Sequence, residues 1–381
     1  MDKVLFISYM FNPFDCFSGG AQRTNLLLRS LADKYEVDVI YFSNDNESTS
    51  NFKLENCNLH FYQVKYAATA KKYKFWQAGF VFSKVDICEE ICKKHITTNK
   101  YKYVVVRYLQ NAYLCGLENE KNLIIDVDDS PVDQFVTKYK SRYSPKSLVY
   151  LLKLNLVRFY TYNLIKKSEK VFFSNPKQAI YKNATYLPNI PYPFFTISEG
   201  KTSSNETNPT IIFVGAMAYL PNYNGIKFFI DNVWCEVERQ LPSAVLKIIG
   251  KGLPEELQHF INTLPNVKYL GFVEDIFLEY SKCDAIIVPI YEGSGTNIKV
   301  LEGMTSGKPC IISEFASRGF EQFLQDGNNI LIAKNNYEYA AKIKQVLTDQ
   351  KMNQYIAENA NNIIRMNYSF EKFRDIVHEN L

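Results

Sequence analysis

Short apolar runs alternate with helix-length stretches twice along this chain, and a polar segment stands between the two series. In the first series the strand-like runs are Val4–Ser8, Val37–Phe42, Leu59–Val64, Tyr103–Val106, Leu123–Val127 and Lys170–Ser174. Helix patterns such as Ala21–Lys34 and Ser83–Thr97 lie between them. Apolar strands separated by helices pair in parallel and are covered on both faces. The segment Ser198–Pro209 (SEGKTSSNETNP) has no apolar periodicity and ends in Pro, so it reads as an interdomain linker. The second series is Thr210–Val214, a helix near Asn224–Gln240, Ala244–Ile249, Val267–Tyr269, Ala285–Pro289 and Pro309–Ser313. A last helix, Phe370–Leu381, follows. The expected fold class is α/β, in two units of similar length facing a cleft that takes a ligand. The expected bounds are residues 1–197, a linker 198–209, residues 210–368 and a final helix 369–381.

The 381 residues are too many for one ordinary core and enough for two. The charge is uneven. Residues 1–190 carry 27 Lys and Arg against 18 Asp and Glu, and residues 191–381 carry 17 against 22. A basic half and an acidic half imply different partners for the two units. The eight Cys form no CxxC pair and no zinc-type cluster with the four His, so they read as buried thiols. The apolar start, Val4–Ser8, reads as a buried strand rather than a signal peptide. No run reaches the ~18–20 apolar residues of a membrane span. These features predict a cytoplasmic protein, or one peripheral on the inner face of the cell membrane. Nucleic acid is not an expected partner, because no RNA-binding aromatic signature occurs and the net charge is only +4.

The segment Glu292–Pro309 carries the densest chemistry. Glycines in Glu292-Gly293-Ser294-Gly295-Thr296-Asn297 lie between a strand and a helix. A turn of this kind cradles phosphate, since the backbone can come close and the helix N-terminus offers N–H donors. The bland reading is a strand–turn–helix that happens to be Gly-rich. Thr296 and Asn297 fit the N-cap region. Lys299 lies in the first turn, where it could neutralise a diphosphate. Glu302 follows a turn later and could accept from two ribose hydroxyls.

In the first half, Asn12-Pro13-Phe14 and Ser18-Gly19-Gly20-Ala21 connect the first strand to the first helix. Arg107 follows Val104-Val105-Val106 and is expected at the cleft mouth, on the acceptor side. Asp126-Val127-Asp128-Asp129 ends a strand at the ligand-binding face. Two stretches set cations beside aromatics: Lys65–Lys84 and Gln134–Lys170, the latter around an apolar helix Leu148–Ile165. They read either as a surface for anionic lipid or a lipid-diphosphate acceptor, or as a core helix with solvated ends.

The stretch from Ile211 to Leu381 resembles the C-terminal domain of the retaining glycosyltransferases of family 4, which have the GT-B fold. The ordered landmarks are Phe213-Val214-Gly215, Leu246 to Gly252, Gly271-Phe272-Val273, Asp284 to Pro289, Glu302 with Gly307-Lys308-Pro309, and Gly327-Asn328-Asn329. Pro221-Asn222 and Phe228-Phe229 resemble a bacterial polysaccharide-biosynthesis branch. The resemblance implies two Rossmann-like domains, with the last helix returning to the first. It implies transfer of a hexose or N-acetylhexosamine from a nucleoside-diphosphate sugar to a glycan or lipid-linked glycan, with no cofactor and no metal. By the same resemblance Gly215 admits the diphosphate, Lys251 lines the donor pocket, Phe272 and Val273 flank the base, and Glu302 binds the ribose. Gly295, Thr296, Asn297 and Lys299 belong to that donor site. Gly19 and Gly20 stand where the family has a Gly-Gly loop near the diphosphate and the acceptor. A His often stands near Asp128 in the family, close to sugar and acceptor. Asp128 and Asp129 are therefore read as substrate contacts, with metal binding or helix capping as the other readings. Asp128 and Glu292 are the candidate bases.

Three departures stand out. The family pattern has two Glu at a fixed spacing, and counting back from Glu302 lands on Ser294, with Glu292 two residues early. The Arg that often follows the first glycine is Ala216, and a common Lys-Gly pair reads Asn224-Gly225. Lys299 is thus under more demand, with Lys227 or Lys251 as helpers. The other functions weighed are a nucleotide-sugar epimerase of the same fold and an inactive scaffold subunit of a polysaccharide-synthesis complex.

Overall fold

The apolar runs pair into two parallel sheets, as the alternation of elements requires. The structure, a computed structural model, describes all residues except 15–18, 45–53, 65–81, 129, 140–146, 192–207 and 294. Asp129, most of the linker and most of the Lys65–Lys84 stretch therefore lie outside the described residues. The chain divides into two compact units. One comprises Met1–Asn189 with Phe370–Leu381, and the other Ile190–Ser369.

The first unit holds β1 (Lys3–Tyr9), β2 (Glu36–Ser43), β3 (Cys57–Gln63), β4 (Tyr103–Arg107), β5 (Leu123–Asp128), β6 (Lys170–Phe173) and β7 (Ala184–Tyr186). Their order is β3-β2-β1-β4-β5-β6-β7, parallel throughout. Val4, Leu5, Phe6 and Ile7 are all fully buried, because helices cover both faces of the sheet. The core continues through Val104, Val106, Ile125 and Val171 to Leu154 and Val157 of the helix Leu148–Lys167. The helix Phe370–Asn380 belongs to this unit, with Phe373 and Val377 fully buried. It is tied down by Tyr35 and Tyr103, whose hydroxyls donate to the Leu381 carbonyl at 3.0 and 2.8 Å.

The second unit holds β8 (Thr210–Val214), β9 (Val245–Ile249), β10 (Val267–Gly271), β11 (Ala285–Val288), β12 (Cys310–Ser313) and β13 (Leu331–Ala333), in the order β10-β9-β8-β11-β12-β13. In each sheet the order reverses at the first strand of the series. β1 lies between β2 and β4, and β8 between β9 and β11. Crevices at such switch points, beyond the C-terminal strand ends, are where ligands bind in sheets of this kind.

Local details differ from the expected elements. The helix foreseen near Asn224 begins at Leu220. Pro221 occupies its first turn, where a missing N–H leaves no bond unmade. The helix then runs through one π-helical stretch, Ile230–Trp234, into Cys235–Gln240. Of the cysteines, Cys88, Cys92, Cys115, Cys283 and Cys310 are buried, Cys57 is half-buried and Cys235 is exposed.

Candidate functional site

The switch point of the second unit gathers most of the predicted donor residues. Gly215 follows β8, and the Lys299 side chain lies directly over it. A Cβ built on Gly215 would meet Lys299 Cε and Asn222 Nδ2, each at 2.9 Å. Gly250, after β9, packs so closely that a Cβ would stand 1.9 Å from the Gly215 carbonyl oxygen. These strand ends therefore form a floor of bare backbone. Lys299 belongs to the helix Ile298–Thr305, whose N-cap is Asn297. The Asn297 side chain makes no capping hydrogen bond, so it does not occupy the first-turn N–H groups. Lys299, in the first turn of its helix, thus lies over the bare backbone at Gly215, an arrangement suited to an oxyanion.

Burial lowers the Lys299 ammonium from its ordinary pKa, and the nearby Glu302 carboxylate opposes that shift. Glu302 is half-buried on the same helix, and Gly295 and Thr296 are half-buried in the turn before it. Lys251 and Phe272 are brought together, with the ammonium 4.0 Å from the ring centroid. Both are exposed, and Val273 beside them is half-buried. Glu292 is exposed and accepts from Asn224 Nδ2 at 2.5 Å. It does not join Lys299 in any hydrogen bond or ion pair among the described residues. Lys227, expected as a helper, is paired with Asp231 at 2.6 Å on the surface of its own helix.

The switch point of the first unit carries a buried charge cluster. Arg107 is fully buried rather than at an open mouth. The Asp126 carboxylate accepts from Arg107 Nη1 and from Arg23 Nη2, the latter at 2.7 Å. Asp128 lies 3.3 Å from Arg107 Nη2 and 3.9 Å from Arg23 Nε. Arg23 Nη1 also donates to the carbonyls of Leu187 and Pro188 and to Asn189 Oδ1. Arg107 Nε donates to Thr24 Oγ1 at 2.9 Å, and Thr24 Oγ1 donates to the Gly20 carbonyl at 2.7 Å. Gly19 and Gly20 form the first turn of the helix Gly19–Ala32, with the Phe11 ring packed where a Gly20 Cβ would stand. The cluster thus fixes the Gly-Gly segment to the ends of β4 and β5.

Burial pushes the Asp128 carboxyl upward, but Arg23 and Arg107 outweigh it and hold it below the usual carboxylate range. Such a group is a weak proton acceptor at neutral pH, which counts against Asp128 as a general base. Three residues without the freedom of glycine take positive φ at these strand ends: Met10 (66°), Tyr108 (63°) and Asp128 (54°). Left-handed backbone of this kind is held by surrounding structure and gathers at functional sites.

Arg23 and Arg318 were not singled out from sequence, Asp126 entered only as part of its acid run, and Asn222 only as a landmark of the resemblance. Asp126 and Asp128 alternate along a strand, so they share a face, and paired carboxylates in an apolar run call for cations. That signal was present for Asp126. Arg23 in an amphipathic helix and Arg318 in a loop carried none.

Residues 208–349 match the family described as "Glycosyl transferases group 1". An uncharacterized glycosyltransferase of Methanocaldococcus jannaschii is 30% identical over 169 residues, which span 42% of this chain and 41% of that protein. The match thus spans well under half of that relative. Sucrose-phosphate synthase from Thermosynechococcus elongatus superposes with a TM-score of 0.74 at 14% identity, over 100% of this chain and 98% of that one. Anabaena HepE, in complex with UDP and glucose, superposes with a TM-score of 0.70 at 16% identity, over 100% and 99%. The chain has the GT-B fold, and over residues 208–349 it is similar to the group 1 glycosyltransferases.

Proposed function

We propose that the protein is a retaining glycosyltransferase of family 4, in its bacterial polysaccharide-biosynthesis branch. In this reading it moves a hexose or N-acetylhexosamine from a nucleoside-diphosphate sugar to a glycan or lipid-linked glycan. The observation that carries the reading is the Lys299 side chain laid over Gly215, at the start of a helix whose N-cap Asn297 makes no side-chain capping bond. Glu302 stands one turn further along the same helix and would take the ribose hydroxyls. Charge builds on the departing diphosphate as the glycosidic bond breaks. A preorganised cation and helix N-terminus stabilise that charge most where water is excluded. The Lys251–Phe272 pair offers a flat, cation-backed face to the base. No cofactor enters this scheme, and the nucleotide sugar is a substrate. The bound UDP and glucose of HepE support a uridine donor as the first to try.

On the acceptor side, the helix Leu148–Lys167 supports contact with an anionic membrane surface. Its outward stripe exposes Leu148 (70%), Leu151, Leu152, Phe159 (60%) and Tyr162, with Arg158, Lys166 and Lys167 exposed alongside. Apolar side chains framed by cations suit the headgroup boundary, where a lipid-linked acceptor would lie. No helix among the described residues is long and apolar enough to cross a membrane.

The test is a thermal-shift panel of nucleotide sugars followed by transfer assays. Lys299→Ala removes a charge-assisted contact of about 1.5–3 kcal/mol, so kcat/KM should fall ~10- to 150-fold. Glu302→Ala should raise KM. If both variants transfer as well as the parent protein, this site is not the donor site.

A further inference from the structure

Ala216 and Asn224 carry no charge at the second unit's strand ends, and an arginine stands nearby with an unpartnered N–H. Arg318 follows β12, the strand beside β11 in the sheet. Ser313 Oγ donates to the Ile290 carbonyl and accepts from Ala316 N at 3.2 Å, so the short turn Glu314–Ser317 is locked to the chain leaving β11. Arg318 leaves that turn with its guanidinium 3.8 Å from the Phe315 ring centroid. Its Nη2 donates to the Gly293 carbonyl at 3.0 Å. The side chain is thereby held against the Gly-rich turn that leads into the helix carrying Lys299.

What this cation lacks is an anion. Among the described residues Arg318 has no carboxylate partner, and its buried Nε has no hydrogen-bond acceptor. A buried N–H without a partner carries its full desolvation cost, which an oxygen of a ligand would relieve. The other candidate cations are engaged differently. Lys227 is paired with Asp231, and Lys251 lies over Phe272. Gly293 itself has φ +134°, so the turn approaches Arg318 in a backbone geometry that other residues rarely adopt.

We infer that Arg318 is a second cation of the donor site, and that its free N–H groups bind the terminal phosphate of the nucleoside diphosphate. This rests on the glycosyltransferase reading above. A planar guanidinium offers paired donors that match a phosphate, whereas an ammonium offers a point charge.

The experiment compares UDP, GDP, ADP and dTDP, each against its monophosphate, by calorimetry with the parent protein and Arg318→Gln. For the nucleotide that binds, Arg318→Gln should weaken the diphosphate ~10- to 100-fold and leave the monophosphate unchanged. Arg318→Lys should recover part of the difference. Equal weakening of both nucleotides would mean a merely structural role and would overturn the inference, as would no change in either. A loss confined to intact sugar donors, with the free diphosphate unaffected, also overturns it. If Arg318→Gln does not fold, the ratio of diphosphate to monophosphate affinity in Arg318→Lys decides, and an unchanged ratio is the negative result. Failure of the parent protein to bind any of the four diphosphates strikes the glycosyltransferase reading itself.

Discussion

Lys299 shows how one side chain can be both desolvated and useful. Its pKa is lowered by burial, with Glu302 opposing, so its positive charge is costly until an anion arrives. In the proposed site a bound diphosphate would raise that pKa again. The linkage has a definite sign. Affinity is full where Lys299 is already protonated in the free protein, and falls as pH rises through its lowered pKa, before an ordinary lysine would titrate. Lys299→Arg keeps its charge through that window. Titration calorimetry with UDP should therefore show affinity declining on the alkaline side for the parent protein and a flatter profile for Lys299→Arg. Parallel profiles would remove Lys299 from the diphosphate site. The glycines, Lys299 and Glu302 were legible because a strand, a turn and a helix start follow one another within a few residues. Arg107 was legible as a charge at a strand end and Asp126 as part of an acid run, but Arg23 and Arg318 were not, since the partners of all four are brought to them only by the fold. Removing Arg107 from such a network would leave Asp126 a buried charge without its full complement, the costly way to break an ion pair.

Among the elements, the helix Leu220–Phe229 depends most on how closely it meets a neighbour. A Cβ on Gly225 would lie 2.2 Å from the Pro289 carbonyl oxygen at the end of β11. The glycine of Asn224-Gly225 answers to this contact. Its neighbour Asn224 reaches Glu292 in the next segment. Gly225→Ala must push the helix from the strand end, and overpacking of this kind costs about 1–3 kcal/mol. Urea unfolding should register that loss, and nucleotide affinity should fall with it because Glu292 and the glycine turn shift too. A fully stable variant would show the helix able to move at no cost. The strands β7 and β13 escaped sequence reading because three residues are too few to show a period. The start of this helix was misplaced because Pro221 reads as a breaker until its first-turn position is known.

For the molecule as a whole, the chain crosses from the first unit to the second and ends with a helix that belongs to the first. Arg23 lies 5.8 Å from the Phe373 ring centroid, so the terminal helix packs beside the buried charge cluster. The proposed membrane contact belongs to this scale, because it joins the outer stripe of one helix to the basic character of a whole half. Each cation near an anionic surface contributes about 1 kcal/mol, or ~5-fold in partitioning. Lys166→Glu with Lys167→Glu should sharply reduce co-sedimentation with phosphatidylglycerol-containing vesicles, and Phe159→Asp should reduce it further. Equal sedimentation of all three proteins would end that proposal. The sequence by itself determined the two parallel α/β units and the Gly-rich turn before the helix Ile298–Thr305, because apolar periodicity and turn chemistry are local and survive in a linear reading. Only the tertiary structure decided that Arg107 is buried on Asp126, that Asp128 is held ionised, that Lys299 covers Gly215 and that Arg318 stands against Gly293. Those pairings join residues far apart in the chain, and their energies exist only once the sheets have set the strand ends side by side.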